Sequence, residues 1–488
     1  MNKPGDTKKN LHKAGMWVKV CIVFAVFAMM CATTPLKAEA NQLKKKPNIV
    51  FVLVDNWGFG DISVQGSLVA TPHIDKLASE GLRLTNYNVE SQCTPTRSAI
   101  HTGRMPIRSG THKVTYGLPY GMASWEYTIA ELLSDTGYKT ALIGKWHLGD
   151  REGRIPTDQG YDEWRVGIMN TTDEAGYSAA PQWDPKLMGQ PYAYQSTRGK
   201  AAEKLFPLTV KDRGEIDQKI TDESVAYIKR HAKGDKPFYL YVGLTQVHPP
   251  MVASKQFDNA SKAGVYSDIL MQVDHYVGMM LDAVDNAGIG EDTIFILTGD
   301  NGTIENVLGG SNGPFRGGFT GYEGGMRTVG MLRWPKTIEA GRVSDEIIAS
   351  QDWMPTLAKI VGAENLVPTD RPIDGVDQSG FMLGKKKTSN REHITCYIGD
   401  QVFSVKWRNF KIHMQTAEDL FAPVQRYIFP VVYDVKNDPG EQVNLMVEDK
   451  FAYSWVYVPL GEILGGAHKS MMEYPNIKPG ENFQGYKK

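Results

Sequence analysis

The stretch NIVFVLV, residues 48–54, is an almost uninterrupted apolar run followed directly by Asp55 and Asn56. Such a run is typical of a strand buried on both faces, as in the middle of a parallel sheet that helices cover. Three other runs share its length and its β-branched or aromatic content: YKTALI (138–143), PFYLYVGL (237–244) and TIFILT (293–298). Together the four runs predict a large central sheet.

Helical patterns lie between these strands. Helices are predicted from Thr71-Pro72 to Gly81, in YTIAELLSDTG (127–137) and in SDILMQVDHYVGMMLDAVDNAG (267–288). The third has an apolar face formed by Ile269, Val273, Tyr276, Val277, Met280, Leu281 and Val284. Because strand and helix alternate, the sequence predicts an α/β fold in which helices sandwich the sheet.

The first forty residues have the pattern of an export signal. Lysines precede the apolar run VCIVFAVFAMMCA (20–32), and LKAEA (36–40) then offers small residues for cleavage. The run is short for a membrane span. We therefore predict a signal peptide over residues 1–40 and a secreted or periplasmic mature chain without a membrane span. Retention as an uncleaved anchor is the alternative.

The rest of the chain divides by pattern into two parts. Residues 41–390 carry the alternation of strand and helix and form the predicted N-terminal α/β domain. In the segment 391–488 the pattern changes, because YIGDQVFSVKWRNFKIHM (397–414) alternates as antiparallel strands do. This segment is predicted to be a smaller C-terminal α+β subdomain. The formal net charge is −1 and no basic stripe stands out, which argues against nucleic acid as a partner.

Polar and ionisable side chains follow all four predicted strands. In open parallel sheets, ligands bind outside the carboxyl ends of the strands, so these side chains are expected to meet at one edge. A single Asp-Asn pair would usually mark a turn, but four such strand ends favour a binding site. The residues at these ends are Asp55, Asn56, Lys145, His147, His248, Asp300 and Asn301.

These strand-end residues divide into a metal-binding set and a cationic set. The carboxylates and amides are hard oxygen donors, which suit Ca²⁺ or Mg²⁺ rather than zinc. Cations beside a divalent metal form a pocket for a small oxygenated anion, such as a phosphate or sulfate ester. Taken singly, each cation is better explained as a solvated, hydrogen-bonded or ion-paired side chain, but their joint placement on successive strand ends favours the anion pocket. The candidates are Arg97, Lys145, His147 and His248, with Arg316 or Arg327 as additions.

Cys93 lies in SQCTPTRSAIHTGR (91–104), at the predicted start of a helix. A thiol at a helix N-terminus near Arg97 and Lys145 is expected to have a lowered pKa, which makes Cys93 a candidate nucleophile. Beyond the signal peptide, Cys396 is the other cysteine. A Cys93–Cys396 disulfide and a packed core thiol are therefore the alternatives.

Several of these motifs occur together in one known family. CTPTR followed by HTGR, then GKWHLG, VHPP, TGDNG and YEGGMR, have the order and spacing seen in the type I sulfatases, which the chain resembles from Pro47 to its end. The resemblance implies an arylsulfatase-like sulfuric ester hydrolase. It also implies the alkaline phosphatase superfamily fold, with a mixed, mostly parallel central sheet and an antiparallel sheet in the C-terminal subdomain.

The resemblance further implies a modified residue and a bound metal. Cys93 would be oxidised to formylglycine by a maturation enzyme, and the hydrate of that aldehyde would be the nucleophile. Ca²⁺ is favoured over Mg²⁺ as the metal. Its ligands would be Asp55, Asn56, Asp300, Asn301 and the modified Cys93.

The same resemblance implies how charge and protons are handled. Arg97 and Lys145 would stabilise the hydrate and the sulfate charge, which grows in the transition state. Asp300 would help to activate the attacking hydroxyl, and His248 would bind the ester and assist departure of the leaving group. His147 would take the proton from the remaining hydroxyl, so that sulfate is eliminated.

Two positions depart from the family pattern. Many members have a second aspartate where this chain has Asn56, which removes one negative charge from the metal site. Many also carry a sulfate-binding lysine where FRGGFTGYEGG (315–325) places Phe319. We predict that Arg316 can replace this lysine in binding the substrate.

Three functional hypotheses follow. The first is an exported sulfatase acting on a carbohydrate sulfate, because aromatic residues in GYSAAPQWDPKLMGQPYAYQ (176–195) could stack on a sugar. The second is a phosphonate monoester or phosphodiester hydrolase that uses the same cysteine-derived aldehyde. The third, motivated by Phe319, is a non-catalytic relative that binds sulfated glycans.

Overall fold

The run that begins the predicted sheet is its central strand β1 (Asn48–Val54) in the computed structural model, and all of its residues are buried. The structure describes residues 45–114, 121–169 and 189–486, together with Met1, Asp184 and Lys186. Apart from Met1, the predicted signal peptide lies outside the described residues. In the part of the chain that is described, no helix is long and apolar enough to cross a membrane.

The described residues form further strands after β1. They are β2 (Leu82–Leu84), β3 (Tyr87–Asn88), β4 (Lys139–Lys145), β5 (Glu163–Ile168), β6 (Tyr192–Thr197), β7 (Glu203–Pro207), β8 (Phe238–Gly243), β9 (Thr293–Gly299), β10 (Gly330–Arg333), β11 (Arg342–Ser344), β12 (Ile348–Ala349), β13 (His393–Ile398), β14 (Gln401–Trp407), β15 (Phe410–Thr416) and β16 (Gln425–Asp434).

Helices connect most of these strands. They are α1 (Pro72–Glu80), α2 (Cys93–Thr102), α3 (Ile129–Asp135), α4 (Val210–Arg213), α5 (Ile216–His231), α6 (Val265–Asn286), α7 (Glu305–Leu308), α8 (Glu323–Met326), α9 (Trp353–Val361), α10 (Ser379–Met382), α11 (Leu445–Glu448) and α12 (Tyr457–Glu473). The three helices predicted from the sequence are α1, α3 and α6, and the predicted apolar face of α6 is buried.

The large sheet has ten strands in the order β11-β2-β10-β9-β1-β8-β4-β5-β6-β7. Its centre, β9-β1-β8-β4-β5, is parallel, whereas β10 pairs antiparallel with β9, and β6 and β7 continue antiparallel beyond β5. The four predicted strands are the neighbours β9-β1-β8-β4, so the prediction of a mixed, mostly parallel sheet is confirmed. Their carboxyl ends meet at one edge of the sheet.

Alternate residues of β1 face opposite cores. Ile49, Phe51 and Leu53 pack into a cluster that includes α9, while the intervening valines, 50, 52 and 54, pack into a second cluster with α5 and α6. Side chains of a strand alternate between its faces, so an apolar strand covered on both faces must be apolar throughout. Coverage on both faces is the physical reason why the run 48–54, from which the strand was predicted, is apolar almost throughout.

A separate four-stranded antiparallel sheet, β13-β14-β15-β16, lies near the C-terminus, as predicted. Residues 46–488 cluster as one compact unit, and the domain boundary at 390/391 stays a prediction. The disulfide alternative is wrong, because Cys93 and Cys396 are not bonded to each other. Cys396 is a residue of β13 and is packed in an apolar cluster instead.

Candidate active site at the carboxyl ends of the central strands

The carboxyl end of β1 carries the first two residues of the site. Asp55 is fully buried, and Asn56 follows with a left-handed φ of 58°, which asparagine tolerates better than most residues. The backbone N–H of Asn56 donates to Oδ1 of Asp300 over 3.0 Å, and Nδ2 of Asn301 donates to Oδ1 of Asn56 over 2.9 Å. The ends of β1 and β9 thus bring the four predicted metal ligands of these strands together.

Helix α2 places a thiol against this group. It begins at Cys93, all of its residues are buried, and it ends at Gly103 in the left-handed conformation that terminates many helices. The side-chain oxygen of Thr96 accepts a hydrogen bond from the N–H of Glu90 over 2.9 Å, which fixes the chain entering the helix. One ligand atom each from Asp55, Cys93 and Asp300 lie within 4.8 Å of one another.

Two buried cations face the carboxylates. Arg97 donates to Oδ2 of Asp300 through Nε at 3.1 Å and through Nη2 at 2.8 Å, and it donates to the carbonyl of Lys145 at 3.2 Å. Lys145, the last residue of β4, donates to Oδ2 of Asp55. All four side chains are fully buried, so the cations and the carboxylates hold one another in fixed positions.

The two carboxylates share these cations unequally. Burial alone would raise the pKa of Asp55, but Lys145, His248 and Arg97 together hold it below its ordinary value. Burial and the adjacent Asp55 raise the pKa of Asp300 above its ordinary value. The surrounding charges therefore stabilise the ionised form of Asp55 more than that of Asp300.

Two buried oxygen atoms of this group also lack a hydrogen-bond donor. They are Oδ1 of Asp55 and Oδ1 of Asn301. Buried polar atoms of folded proteins nearly always have a partner, and hard oxygens without a donor are suited to a cation such as Ca²⁺. The residues present therefore fit a divalent metal.

The prediction of a lowered pKa for Cys93 is wrong. Burial raises the pKa of its thiol to about 12, although Lys145 and Arg97 favour the thiolate. Asp55 and Asp300 also face the sulfur and disfavour its negative charge. The helix N-terminus is therefore outweighed by desolvation and by two carboxylates, and the unmodified thiol is a poor nucleophile.

His147 follows β4 and has a left-handed φ of 62°. Its carbonyl accepts a hydrogen bond from Oγ1 of Thr94 over 3.3 Å, which ties the residue to the first turn of α2. Burial, followed by the charges of Lys145 and Arg97, holds the pKa of His147 well below its ordinary value. The imidazole is therefore neutral near pH 7 and can accept a proton.

His248 lies in the loop that follows β8. Its Nδ1 is 2.8 Å from the carbonyl oxygen of Pro249, which can only accept, so Nδ1 carries a proton. A positive charge on His248 would lower the pKa of both Asp55 and His147, so its ring lies within electrostatic range of these two residues.

Comparisons with known proteins show which family this chain belongs to. A family model described as Sulfatase matches residues 47–363. The chain belongs to the sulfatase family. It is 30% identical over 442 residues to N-acetylgalactosamine-6-sulfatase of Canis lupus familiaris, covering 82% of this chain and 81% of that protein. It is also 30% identical over 509 residues to arylsulfatase H of Homo sapiens, covering 82% and 87%.

A solved structure supports the same conclusion. The PsFucS1 sulfatase from Pseudoalteromonas sp. has a TM-score of 0.83 and 30% identity, covering 90% of this chain and 93% of that one. The predicted family and fold are confirmed, and this sulfatase is a sulfuric ester hydrolase.

Phe319 stands where the sulfatase pattern described above has a lysine. Arg316, the predicted substitute, donates to Glu418 at 2.5 Å and to the carbonyl of Glu441 at 3.0 Å, and its guanidinium lies over the ring of Tyr322. The structure thus holds Arg316 against loop residues that flank β16, and its role in binding substrate stays a prediction. Phe319 is partly exposed with a left-handed φ of 59°.

The YEGGMR motif of this sulfatase also contains a buried acid that the sequence reasoning missed. Glu323 accepts from Lys406 at 2.5 Å and from Lys411 at 2.8 Å, and it lies 3.4 Å from Arg327. The available signal was two lysines at buried positions of β14 and β15, because lysine is rarely buried without an acidic partner.

The same motif packs against the segment that follows the predicted metal ligand Asn301. Gly302 follows Asn301, and a Cβ at Gly302 would clash with the carbonyl of Gly324. The N–H of Gly302 also donates to the carbonyl of Gly325. The backbone of Gly324 and Gly325, next to Glu323, therefore packs against the segment that follows β9.

A stability prediction follows from Glu90, just before the signature helix of this sulfatase. Burial, followed by the nearby Asp374, raises the pKa of Glu90 from 4.5 to about 8. Between these values the folded state binds more protons than the unfolded state, so the free energy of unfolding falls as pH rises through this window. We expect Glu90→Gln to lose this fall, whose slope is at most about 1.4 kcal/mol per pH unit.

Urea denaturation at pH 5 and pH 8 measures the effect of Glu90→Gln. The variant should gain stability relative to the wild type between these two pH values. Parallel curves of unfolding free energy against pH would show that Glu90 does not retain its proton on folding.

Proposed function

We propose that this sulfatase hydrolyses a carbohydrate sulfate ester, using a formylglycine made from Cys93 and a Ca²⁺ ion. The observation that carries the proposal is the buried group in which Asp55, Cys93 and Asp300 place ligand atoms within 4.8 Å of one another. Arg97 and Lys145 are bonded to those carboxylates. A structural thiol needs none of these charges, whereas a reaction on an anionic ester needs them all.

The proposed Ca²⁺ site uses oxygens from both strand ends. Its ligands are Asp55, Asn56, Asp300, Asn301 and the modified residue 93. The two buried oxygens without donors and the all-oxygen chemistry of the set support this assignment. When bound, the ion would supply positive charge beside the sulfate group and polarise its oxygens.

Formylglycine would be installed by a maturation enzyme, which is the proposed partner during biogenesis. As its hydrate, it would supply one hydroxyl to attack sulfur and a second to expel the sulfate. This requirement explains why the buried thiol, with a pKa of about 12, need not itself be reactive.

The other residues would bind the anion and move protons. Arg97 and Lys145 would contact the anionic sulfate oxygens, and the hydrogen bonds to Asp300 and Asp55 hold these cations in place. Neutral His147 would accept a proton from the hydroxyl of residue 93. His248 would donate its Nε2 proton to the ester oxygen of the leaving group.

A carbohydrate substrate and an exported location are proposed on two grounds. The relative from Canis lupus familiaris is named for a sulfated amino sugar. The N-terminal sequence has the pattern of a signal peptide. Most of the aromatic segment 176–195 lies outside the described residues, so its stacking role stays a prediction.

Turnover of 4-nitrophenyl sulfate and of a 4-nitrophenyl phosphonate monoester tests the reaction class. We expect the sulfate to give the higher kcat/KM, with the tryptic peptide 84–97 carrying an aldehyde in place of the thiol. A higher kcat/KM for the phosphonate would favour the phosphonate hydrolase hypothesis. Binding of a sulfated glycan without turnover, by protein that carries the aldehyde, would favour the non-catalytic hypothesis.

The metal assignment predicts a thermal shift. Ca²⁺ at 100 times its Kd should stabilise the folded protein by about 2.7 kcal/mol and raise Tm. Asp55→Asn removes one ligand charge and should abolish most of this shift. Asp285→Asn, which changes an acid paired with Arg333 away from the site, is the matched control and should keep it. Equal shifts in both variants would overturn the assignment.

A further inference from the structure

A buried arginine holds the loop that carries His248. Arg213, the last residue of α4, is fully buried. Its Nη1 donates to Oγ1 of Thr245 over 2.6 Å, and its Nη2 donates to the carbonyls of Thr245 at 2.9 Å and of His248 at 2.6 Å. Three hydrogen bonds from one planar group fix both the position and the direction of this loop.

An aspartate completes this clamp from the next helix. Asp217, in the first turn of α5, accepts from the N–H of Thr245 at 2.9 Å and from its hydroxyl at 2.8 Å. It also accepts from the N–H of Gln246 at 2.9 Å. Asp217 is fully buried, so these bonds are not exchanged with water. We call Arg213 and Asp217 the loop clamp.

The opposite side of the loop is hydrogen-bonded to the backbone of Asp55, the proposed metal ligand that follows β1. The N–H of Asp55 donates to the carbonyl of Gln246 at 2.9 Å, and the N–H of Val247 donates to the carbonyl of Asp55 at 2.7 Å. His248 therefore sits on a segment fixed between β1 and the loop clamp. Its own backbone carbonyl is held by Arg213, so a movement of that guanidinium moves the imidazole.

We propose that Arg213 is a positioning residue that aligns Nε2 of His248 with the ester oxygen of the leaving group. This role rests on the proposed function. As the sulfur–oxygen bond breaks, its electron pair stays on the ester oxygen, which takes the Nε2 proton. The Nδ1 proton stays on the ring, where the carbonyl of Pro249 accepts it. His248 thus passes from the cation to the neutral Nδ1–H form.

The role of the clamp can be distinguished from a structural one by varying the leaving group. An alcohol of a sugar is a poor leaving group and needs the proton as the bond breaks. A 4-nitrophenolate leaves without one. Misalignment of His248 therefore slows the sugar or alkyl sulfate selectively, whereas a general loss of folding slows every ester alike.

The experiment measures kcat and KM for a series of aryl sulfates of rising leaving-group pKa, ending with an alkyl sulfate. The variants are Arg213→Met, Arg213→Lys and His248→Ala, with their folding monitored by circular dichroism. Arg154→Met is the matched control, because Arg154 is also buried and also holds backbone carbonyls, those of Gly121 and Glu481.

We expect Arg213→Met to lower kcat for the alkyl sulfate by about 10²-fold, within the range of general acid catalysis, and to change 4-nitrophenyl sulfate far less. Arg213→Lys keeps the charge and should recover part of the loss. In the background of His248→Ala, Arg213→Met should cost nothing further, because both changes act on one proton transfer.

Three results would overturn this role. They are equal losses on all esters, an additive effect with His248→Ala, and the same selectivity in Arg154→Met. If Arg213→Met does not fold, Arg213→Lys carries the same comparison. A wild-type protein that carries the aldehyde and turns over no sulfate ester would overturn the proposed function as well.

Discussion

Replacing Cys93 with alanine should remove turnover of sulfate esters, lowering kcat/KM by about 10⁴-fold or more, as expected when a nucleophile is lost. Alanine leaves no group to be converted to an aldehyde. Arg97, Lys145 and the carboxylates would remain and could still bind sulfate. The measurement is kcat/KM with 4-nitrophenyl sulfate, together with the binding of free sulfate by calorimetry.

The chain offers a matched control for this change. Cys396 is also a buried cysteine outside any disulfide, and burial raises the pKa of its thiol to about 12 as it does for Cys93. Cys396→Ala should keep the wild-type kcat/KM and cost only a little stability. Appreciable turnover by Cys93→Ala, or equal losses in the two variants, would remove Cys93 from the reaction.

Replacing Glu323 with glutamine should destabilise the protein by more than about 3 kcal/mol, because it leaves buried lysines without their partner. Lys406 and Lys411 both donate to this carboxylate, and their side chains are almost fully buried. Glutamine keeps the shape of the side chain, so the loss of stability measures the contribution of its negative charge. Urea denaturation of the two proteins measures the difference.

An exposed acid in the loop between β15 and β16 provides the comparison. Glu418 pairs with Arg316 and is 62% exposed. Glu418→Gln should change the free energy of unfolding by less than about 1 kcal/mol, as exposed ion pairs usually do. If Glu323→Gln were equally mild, the buried lysines would have to be neutral or newly solvated.

The centre of the fold could be predicted because its strands are covered on both faces. β1, β4, β8 and β9 must be apolar throughout, and each leaves a long, visible run in the sequence. The outer strands could not be found in this way. β2, β10 and β11 are short, and their pairing depends on partners far away in the chain, so no local pattern marks them.

The site was predictable where chemistry sits at a strand end, as for Asp55 and Asp300. The pKa values of the groups in the site could not be predicted from the sequence. The raised pKa of Cys93 comes from burial and from Asp55 and Asp300, which follow two different strands and which only the folded chain brings together. Arg213 was missed for a related reason, since it acts on loop carbonyls that no side-chain motif reveals.

Cys93 cannot be enclosed early in folding, because its surroundings are assembled from distant parts of the chain. The hydrogen bond from Arg97 to Asp300 spans 203 residues, and β9 must find its place beside β1 before it forms. Contacts of such sequence separation form slowly. If Cys93 is converted to formylglycine as proposed, a macromolecular maturation enzyme would reach the thiol in the interval before β9 docks. The yield of active protein would then depend on the ratio of two rates, modification and folding.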